Sequence, residues 1–243
     1  MSPHPSEPDE RTGPVLLAIA SAIEFRAVAD GFAGGSGVDA RPWAVTRLAP
    51  GVEAILTGVG KANAAGGVAH VLEPARHAGV ISLGLGGALP GGPGLGRVVL
   101  GSASVFADEG VQTPEGFIDC RAMGFPLVPG ESDRIAPDGR WASRWLGLVD
   151  EVGVIATVSA CSGTDALALE VRARTGAIIE AMEGAAVGLA VRAIDPEMPF
   201  AELRVVSNTT GDRGEQRWDL PGALGALSGV LGRLGFGSGA DRA

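Results

Sequence analysis

The stretch Ala177–Ala190, AIIEAMEGAAVGLA, carries the pattern that decides the fold. Its opening residues form a short apolar run of the kind a buried strand shows, and the residues after Glu183 are small and helix-compatible. A strand that runs directly into a helix is half of a βαβ unit. Two carboxylates, Glu180 and Glu183, interrupt the run, and Gly184, Ala185 and Ala186 follow the second at once. At that junction Glu183 has two readings. It serves the first turn of the helix, whose free N–H groups favour an anion, or it serves a ligand beyond the end of the strand.

The same alternation extends outward in both directions. VLLAIA (15–20) reads as a buried strand followed by a helix over about 23–29, and VEAILTGVG reads as a second strand followed by the helical KANAAGGVAHVLEPARH. GVISLGLGGAL reads as a strand entering a Gly-rich turn, and GRVVLGSASVFAD as a further strand. VGVIATVSA, GAIIEA and PFAELRVVSN are strands, GTDALALEVRART is a helix with Thr164 as N-cap, and a last helix covers 220–234. Residues 107–135 are irregular, an extended loop or a hairpin. The fold class expected is α/β, a three-layer α/β/α sandwich around a mixed, mainly parallel sheet. A disordered tail is expected over 1–13, one domain over 14–234 and a flexible tail over 235–243.

Composition narrows the function. The chain has 243 residues, 46% hydrophobic and 19% charged, enough for a sizeable core in one domain. Its net charge of −9, without a Lys/Arg cluster, argues against nucleic acid as a partner and leaves a small molecule as the expected one. No stretch of about 18 apolar residues suggests a membrane span. The opening MSPHPSEPDERTGP has no signal-peptide pattern, so a cytoplasmic protein is expected. Cys120 and Cys161 lack metal or disulfide spacing and read as buried free thiols.

Two glycine motifs lead nowhere familiar. In GVGK (58–61) the positions where a phosphate loop needs Gly and Ser/Thr hold Ile55 and Ala62, so a tight strand-to-helix turn is the expectation. In GLGGAL (84–89) the third glycine of a dinucleotide fingerprint falls on Leu89. His4, His70 and His77 form neither a triad nor a metal set, and Ser21 and Ser159 lack an activating histidine in context. In a sheet of this type ligands bind at the C-terminal ends of strands. That singles out Glu24, the GLGGA segment, the AMEGA segment and Asn208.

Those segments also occur in a known order. AMEGAAV resembles the E-M-E-x-A-A motif of the nucleoside phosphorylase and nucleosidase superfamily, and LRVVSN resembles its R-x-x-S-D/N strand. LTGVGKANAA and GVISLGLGGAL resemble two earlier signature segments, so the likeness covers roughly residues 15–234. The resemblance implies a purine nucleoside substrate, no metal or organic cofactor, and assembly into homo-oligomers, dimers or larger. It implies that Glu183 receives the ribose hydroxyls and steadies an oxocarbenium-like transition state, with Met182 against the sugar. Glu24 matches the glutamate that orients or deprotonates the attacking water, and Leu85, Gly86 and Val158 are placed in the substrate pocket.

Asn208 departs from the Asp of adenine-cleaving relatives. An amide donates to O6 of a 6-oxopurine and accepts from a protonated N7, so hypoxanthine is the expected base. An amide is no acid, and the N7 proton must come from water or another group, with Asp165 and Asp212 as candidates. ADEGVQTPEGF and SNTTGDRGEQRWDLPGAL resemble the branch whose substrate carries a benzoate arm, for which Arg26, Arg121, Arg213 and Arg217 are candidate partners. The glycine segment holds no Arg or Lys to cradle phosphate, so hydrolysis is expected over phosphorolysis. The alternatives are another purine nucleosidase, a phosphorylase, or a non-catalytic nucleoside-binding protein.

Overall fold

A computed structural model describes residues 11–33, 37–127 and 133–236. The first unit is β1 (Val15–Ile19), fully buried, and α1 (Ala22–Asp30). Ser21 and Glu24 close a capping box at the start of α1: the serine hydroxyl accepts the Glu24 N–H, and the Glu24 carboxylate accepts the Ser21 N–H. Next come β2 (Val45–Ala49), β3 (Val52–Leu56), α2 (Lys61–Val71), β4 (Gly79–Ala88) and β5 (Val98–Phe106). A small hairpin, β6 (Gly110–Thr113) with β7 (Gly116–Asp119), precedes β8 (Arg134–Ile135) and α3 (Gly139–Trp145). The last third is β9 (Glu151–Thr157), α4 (Asp165–Thr175), β10 (Ala177–Ala181), α5 (Gly184–Ile194), β11 (Phe200–Thr209) and α6 (Leu220–Arg233).

The central sheet runs β10-β9-β5-β11-β4-β1-β3-β2, with β8 attached to β5. It is mixed: β1 pairs in parallel with β3 and β4, while β2 and β3 are antiparallel. β10 pairs with β4 as well as with β9, so β4, β11, β5, β9 and β10 close into a ring. Helices α1 and α6 cover one face, burying Phe25, Val28, Leu227 and Val230 with Leu17 and Leu83 of the sheet. Helices α2 and α5 cover the other through Ala64, Val68, Val187 and Val191 against Leu16 and Val80. Each Val, Leu or Phe side chain among these, taken fully from water, contributes about 1.5–3 kcal/mol. The three layers follow from these two apolar faces.

Every strand and helix expected between Val15 and Arg233 is present, and β2, β8 and α3 are additional. The segment read as a Gly-rich turn is not a turn: Gly84, Gly86 and Gly87 lie within β4, paired to β11 throughout. Residues 107–135 do contain a hairpin, although 128–132 lie outside the described residues. Of the two expected tails, residues 1–10 and 237–243 lie outside the described residues. Arg11 is anchored by an ion pair to Asp195. No helix among the described residues is long and apolar enough to cross a membrane.

Candidate active site

A cavity of about 520 Å³ opens where β1, β4, β10 and β11 end. It is lined by Glu24, Leu85, Gly86, Met182, Glu183 and Asn208, six of the seven residues expected in the site. Val158 is the exception and does not line the cavity. It is 1% exposed and packs with Leu89, Ala168 and Val171, because its N–H still pairs with Ala181 and its side chain turns into the core.

Glu183 occupies the N-cap position of α5, yet its side chain makes no capping bond. The cap is supplied from another strand: the Thr157 hydroxyl accepts the Ala185 N–H at 2.8 Å. The Glu183 side chain therefore does not serve the first turn of α5. Its carboxylate is free to reach across to α2, where Oε1 accepts the Gly60 N–H at 3.0 Å, while Oε2 lies 3.4 Å from Arg204 Nη1. The GVGK turn thus holds Glu183; Gly58 and Gly60 both adopt φ near 92°, a region that favours glycine. Lys61 is bound to Asp108 and Glu109. Burial pushes the Glu183 carboxyl above its ordinary value, against the pull of Arg204 and the Gly60 N–H.

Arg204 is the residue the sequence reading left without a role. It is buried within β11, where its Nε bonds Glu202 at 2.9 Å and its Nη2 bonds the Ser82 hydroxyl at 3.0 Å. Glu202 in turn accepts from the Ser104 hydroxyl. Burial opposes the guanidinium charge, but Glu202, Glu183 and Glu24 together hold it cationic. A signal was present: Glu202 and Arg204, two apart on an otherwise apolar strand, share one face and so form a buried pair. Two glycines make room for this cluster. A Cβ at Gly84 would lie 2.7 Å from both Arg204 Nη1 and Glu24 Oε1, and one at Gly184 would lie 1.9 Å from the Glu202 carboxylate.

Glu24 approaches from the other side. Its Oε1 accepts the Leu85 N–H at 2.7 Å, and its Oε2 accepts from the Ser21 N–H and hydroxyl at 3.0 and 2.5 Å. One lone pair of Oε1 remains for a ligand. Asn208 sits beside a bulge in β11, its Oδ1 accepting from the Ser207 hydroxyl and its Nδ2 donating to the Thr209 carbonyl. One N–H and one lone pair of the amide stay available.

A third carboxylate, Glu180, also lines the cavity and is only 3% exposed. Ser162 holds it twice, N–H to Oε1 at 2.7 Å and hydroxyl to Oε2 at 2.6 Å. Burial raises its pKa while these two bonds lower it. Asp165 and Asp212 are exposed, accept each other's backbone N–H, and do not line the cavity. Of Arg26, Arg121, Arg213 and Arg217, Arg213 lines it, with its guanidinium over the Trp218 ring. Both cysteines are free, but neither is buried as expected: Cys120 is half-buried and Cys161 is exposed at the cavity.

The fold and this arrangement of carboxylates at strand ends define a class. Residues 44–228 match the model of the phosphorylase superfamily, and the chain belongs to it. Within it the chain belongs to the futalosine hydrolase family. It is 36% identical to futalosine hydrolase of Acidothermus cellulolyticus over 90% of this chain and 89% of that protein. The enzyme of Streptomyces coelicolor is also 36% identical, over 90% and 94% of the two chains, and that of Thermus thermophilus 38%, over 73% and 78%. Among solved structures, the fold is similar to 5'-methylthioadenosine/S-adenosylhomocysteine nucleosidase of Neisseria meningitidis bound to methylthio-immucillin-A. The TM-score is 0.74 and the identity 22%, over 92% of this chain and 98% of that one.

Proposed function

We propose that this protein hydrolyses the N-ribosidic bond of futalosine, releasing hypoxanthine and dehypoxanthine futalosine in menaquinone biosynthesis. The observation that carries the reading is the gathering of Glu24, Glu183 and Asn208 on one cavity, in a chain whose curated relatives are futalosine hydrolases. In this reading the free lone pair of Glu24 Oε1 orients and deprotonates the attacking water. Glu183 hydrogen-bonds the ribose hydroxyls and steadies positive charge as the base departs. Asn208 spends its spare N–H on O6 and its spare lone pair on the protonated N7. Arg204 pairs with Glu183 from behind the cavity wall and acts through it as a positioning residue. Arg213 meets the carboxylate of the substrate arm.

Water is the nucleophile in this scheme. The Arg204 guanidinium is engaged by Glu202 and Glu183, and the glycines of β4 present no cation for a phosphate. The protein is further taken to work in the cytoplasm as a homo-oligomer, which light scattering on the purified protein tests. The test of the activity is incubation with futalosine, inosine, adenosine and methylthioadenosine, with and without phosphate. Futalosine should be cleaved in phosphate-free buffer to a free reducing sugar. A ribose-1-phosphate product, or preference for another nucleoside, overturns the reading.

A further inference from the structure

Lys61 is a largely buried cation to which the proposed mechanism gives no task; its side chain is 12% exposed. It is the first residue of α2, where free N–H groups favour an anion, so its sign is wrong for the helix. No side chain caps α2, and its first turn holds no acid. The anion that this helix start receives is Glu183, through the Gly60 N–H. A lysine kept at such a place answers to contacts elsewhere.

Those contacts lie at the ends of other strands. The ammonium pairs with Asp108, meets Glu109 at 2.9 Å and stands 5.5 Å from the centre of the Phe106 ring, all at or just beyond the end of β5. Asp108 carries the tie onward, its Oδ2 accepting the Ser159 N–H just past β9. The turn between β3 and α2 needs such a tie. Gly58 and Gly60 both have φ near 92°, so this backbone is loosely specified by its own sequence. Local bonds shape it, from Thr57 Oγ1 to the Gly58 carbonyl and from Asn63 Nδ2 to the Val59 carbonyl, but join it to nothing distant. Among the described residues, the polar contacts of residues 58–61 with distant segments are Gly60 to Glu183 and Lys61 to the end of β5.

We propose that Lys61 is a positioning residue for the hydrolysis: its pairing with Asp108 and Glu109 fixes the turn over 58–61, so that the Gly60 N–H stays on Glu183. This rests on the futalosine reading and extends it to a residue outside the cavity wall. A carboxylate stabilises the transition state only if it is held where charge develops, and misplacement by about 1 Å can cost ~100-fold in rate. The charged and polar groups facing Glu183 are Arg204 and Glu202 of β11, Glu24 of α1 and the Gly60 N–H. Burial raises the Glu183 pKa; Arg204 and the Gly60 N–H lower it, and Glu24 and Glu202 raise it. Loss of the Gly60 bond therefore moves it further up.

The test joins kinetics to a readout that needs no activity, both on the full-length protein. Lys61→Met removes the charge, and kcat for futalosine should fall at least ~10-fold with KM within about threefold of wild type. The acid limb of kcat/KM should move to higher pH, and Lys61→Arg should restore most of kcat. In a Glu183→Gln background Lys61→Met should cost little more, because it acts through that carboxylate. By nuclear magnetic resonance, the Gly60 amide should exchange with deuterium at least ~10-fold faster in Lys61→Met. If Lys61→Met does not fold, Asp108→Asn takes its place with the same expected signs. A wild-type kcat in the variant, or a full additive loss in the Glu183→Gln background, overturns the proposal. Unchanged Gly60 exchange overturns it whatever the substrate. If wild type does not cleave futalosine while the Gly60 amide still loosens in the variant, the functional reading falls and the placement of Glu183 by Lys61 stands.

Discussion

Arg204 Nη1 stands 3.4 Å from Glu183 Oε2, with the guanidinium buried and the carboxylate at the wall of the cavity. The guanidinium is shared, since Glu202 takes its Nε at 2.9 Å. Removing one member of such a buried cluster leaves the others as uncompensated charges, which costs about 3–5 kcal/mol. Arg204→Met should therefore lower the unfolding free energy in urea by about that much, and abolish turnover because Glu183 loses its anchor. A variant of normal stability would mean that the cluster is worth little.

Glu183 and Glu24 act through charge in the proposed mechanism. Glu183→Gln and Glu24→Gln keep the shape of each side chain, and each should lose at least ~100-fold in kcat with far-ultraviolet circular dichroism unchanged. The raised pKa of Glu183 adds a pH signature. The folded protein keeps a proton on this group at a pH where the unfolded chain has lost it. Its contribution to stability thus falls as pH rises through the folded value, and its anionic, active form appears over the same window. The acid limb of kcat/KM should accordingly lie above the ordinary glutamate value of about 4.3. A limb at or below that value excludes Glu183 as the titrating group.

Asn208→Asp places an anion opposite O6 of hypoxanthine. A lost hydrogen bond and an added repulsion in a polar site cost on the order of 1–3 kcal/mol, so kcat/KM for futalosine should fall about 10- to 100-fold. The 6-amino analogue aminofutalosine should be unharmed, as Asp accepts from its amino group. The ratio of the two specificity constants is the measurement. A constant ratio removes Asn208 from base reading.

Gly184 is held bare by packing. A Cβ there would lie 1.9 Å from the Glu202 carboxylate, which is bound to Arg204 and Ser104 and has nowhere to retreat. Gly184→Ala should cost at least about 1–3 kcal/mol, the scale of overpacking a closed core, despite alanine's better helix propensity. Thermal denaturation checks it, and a Tm equal to wild type contradicts it.

The local signals in the chain were enough for most of the architecture. Apolar runs such as VLLAIA, and Thr164 as the cap of α4, act through neighbouring residues, so period and capping reveal them from sequence. Placement of Glu24, Glu183 and Asn208 at strand ends followed from the same logic, since a sheet of this type collects ligands there. What spacing could not show was anything made by pairs distant along the chain. That the cap of α5 comes from Thr157, leaving Glu183 free for Gly60 and Arg204, depends on β9 lying beside β10. Val158, which the resemblance placed in the pocket, is core, and its N–H pairs with Ala181. The glycines of β4 looked like a turn because glycine loosens a chain locally. Tertiary structure uses them in a strand, where missing side chains admit Arg204 and Glu24 at Gly84 and let Asn208 and Thr210 lie over Gly87.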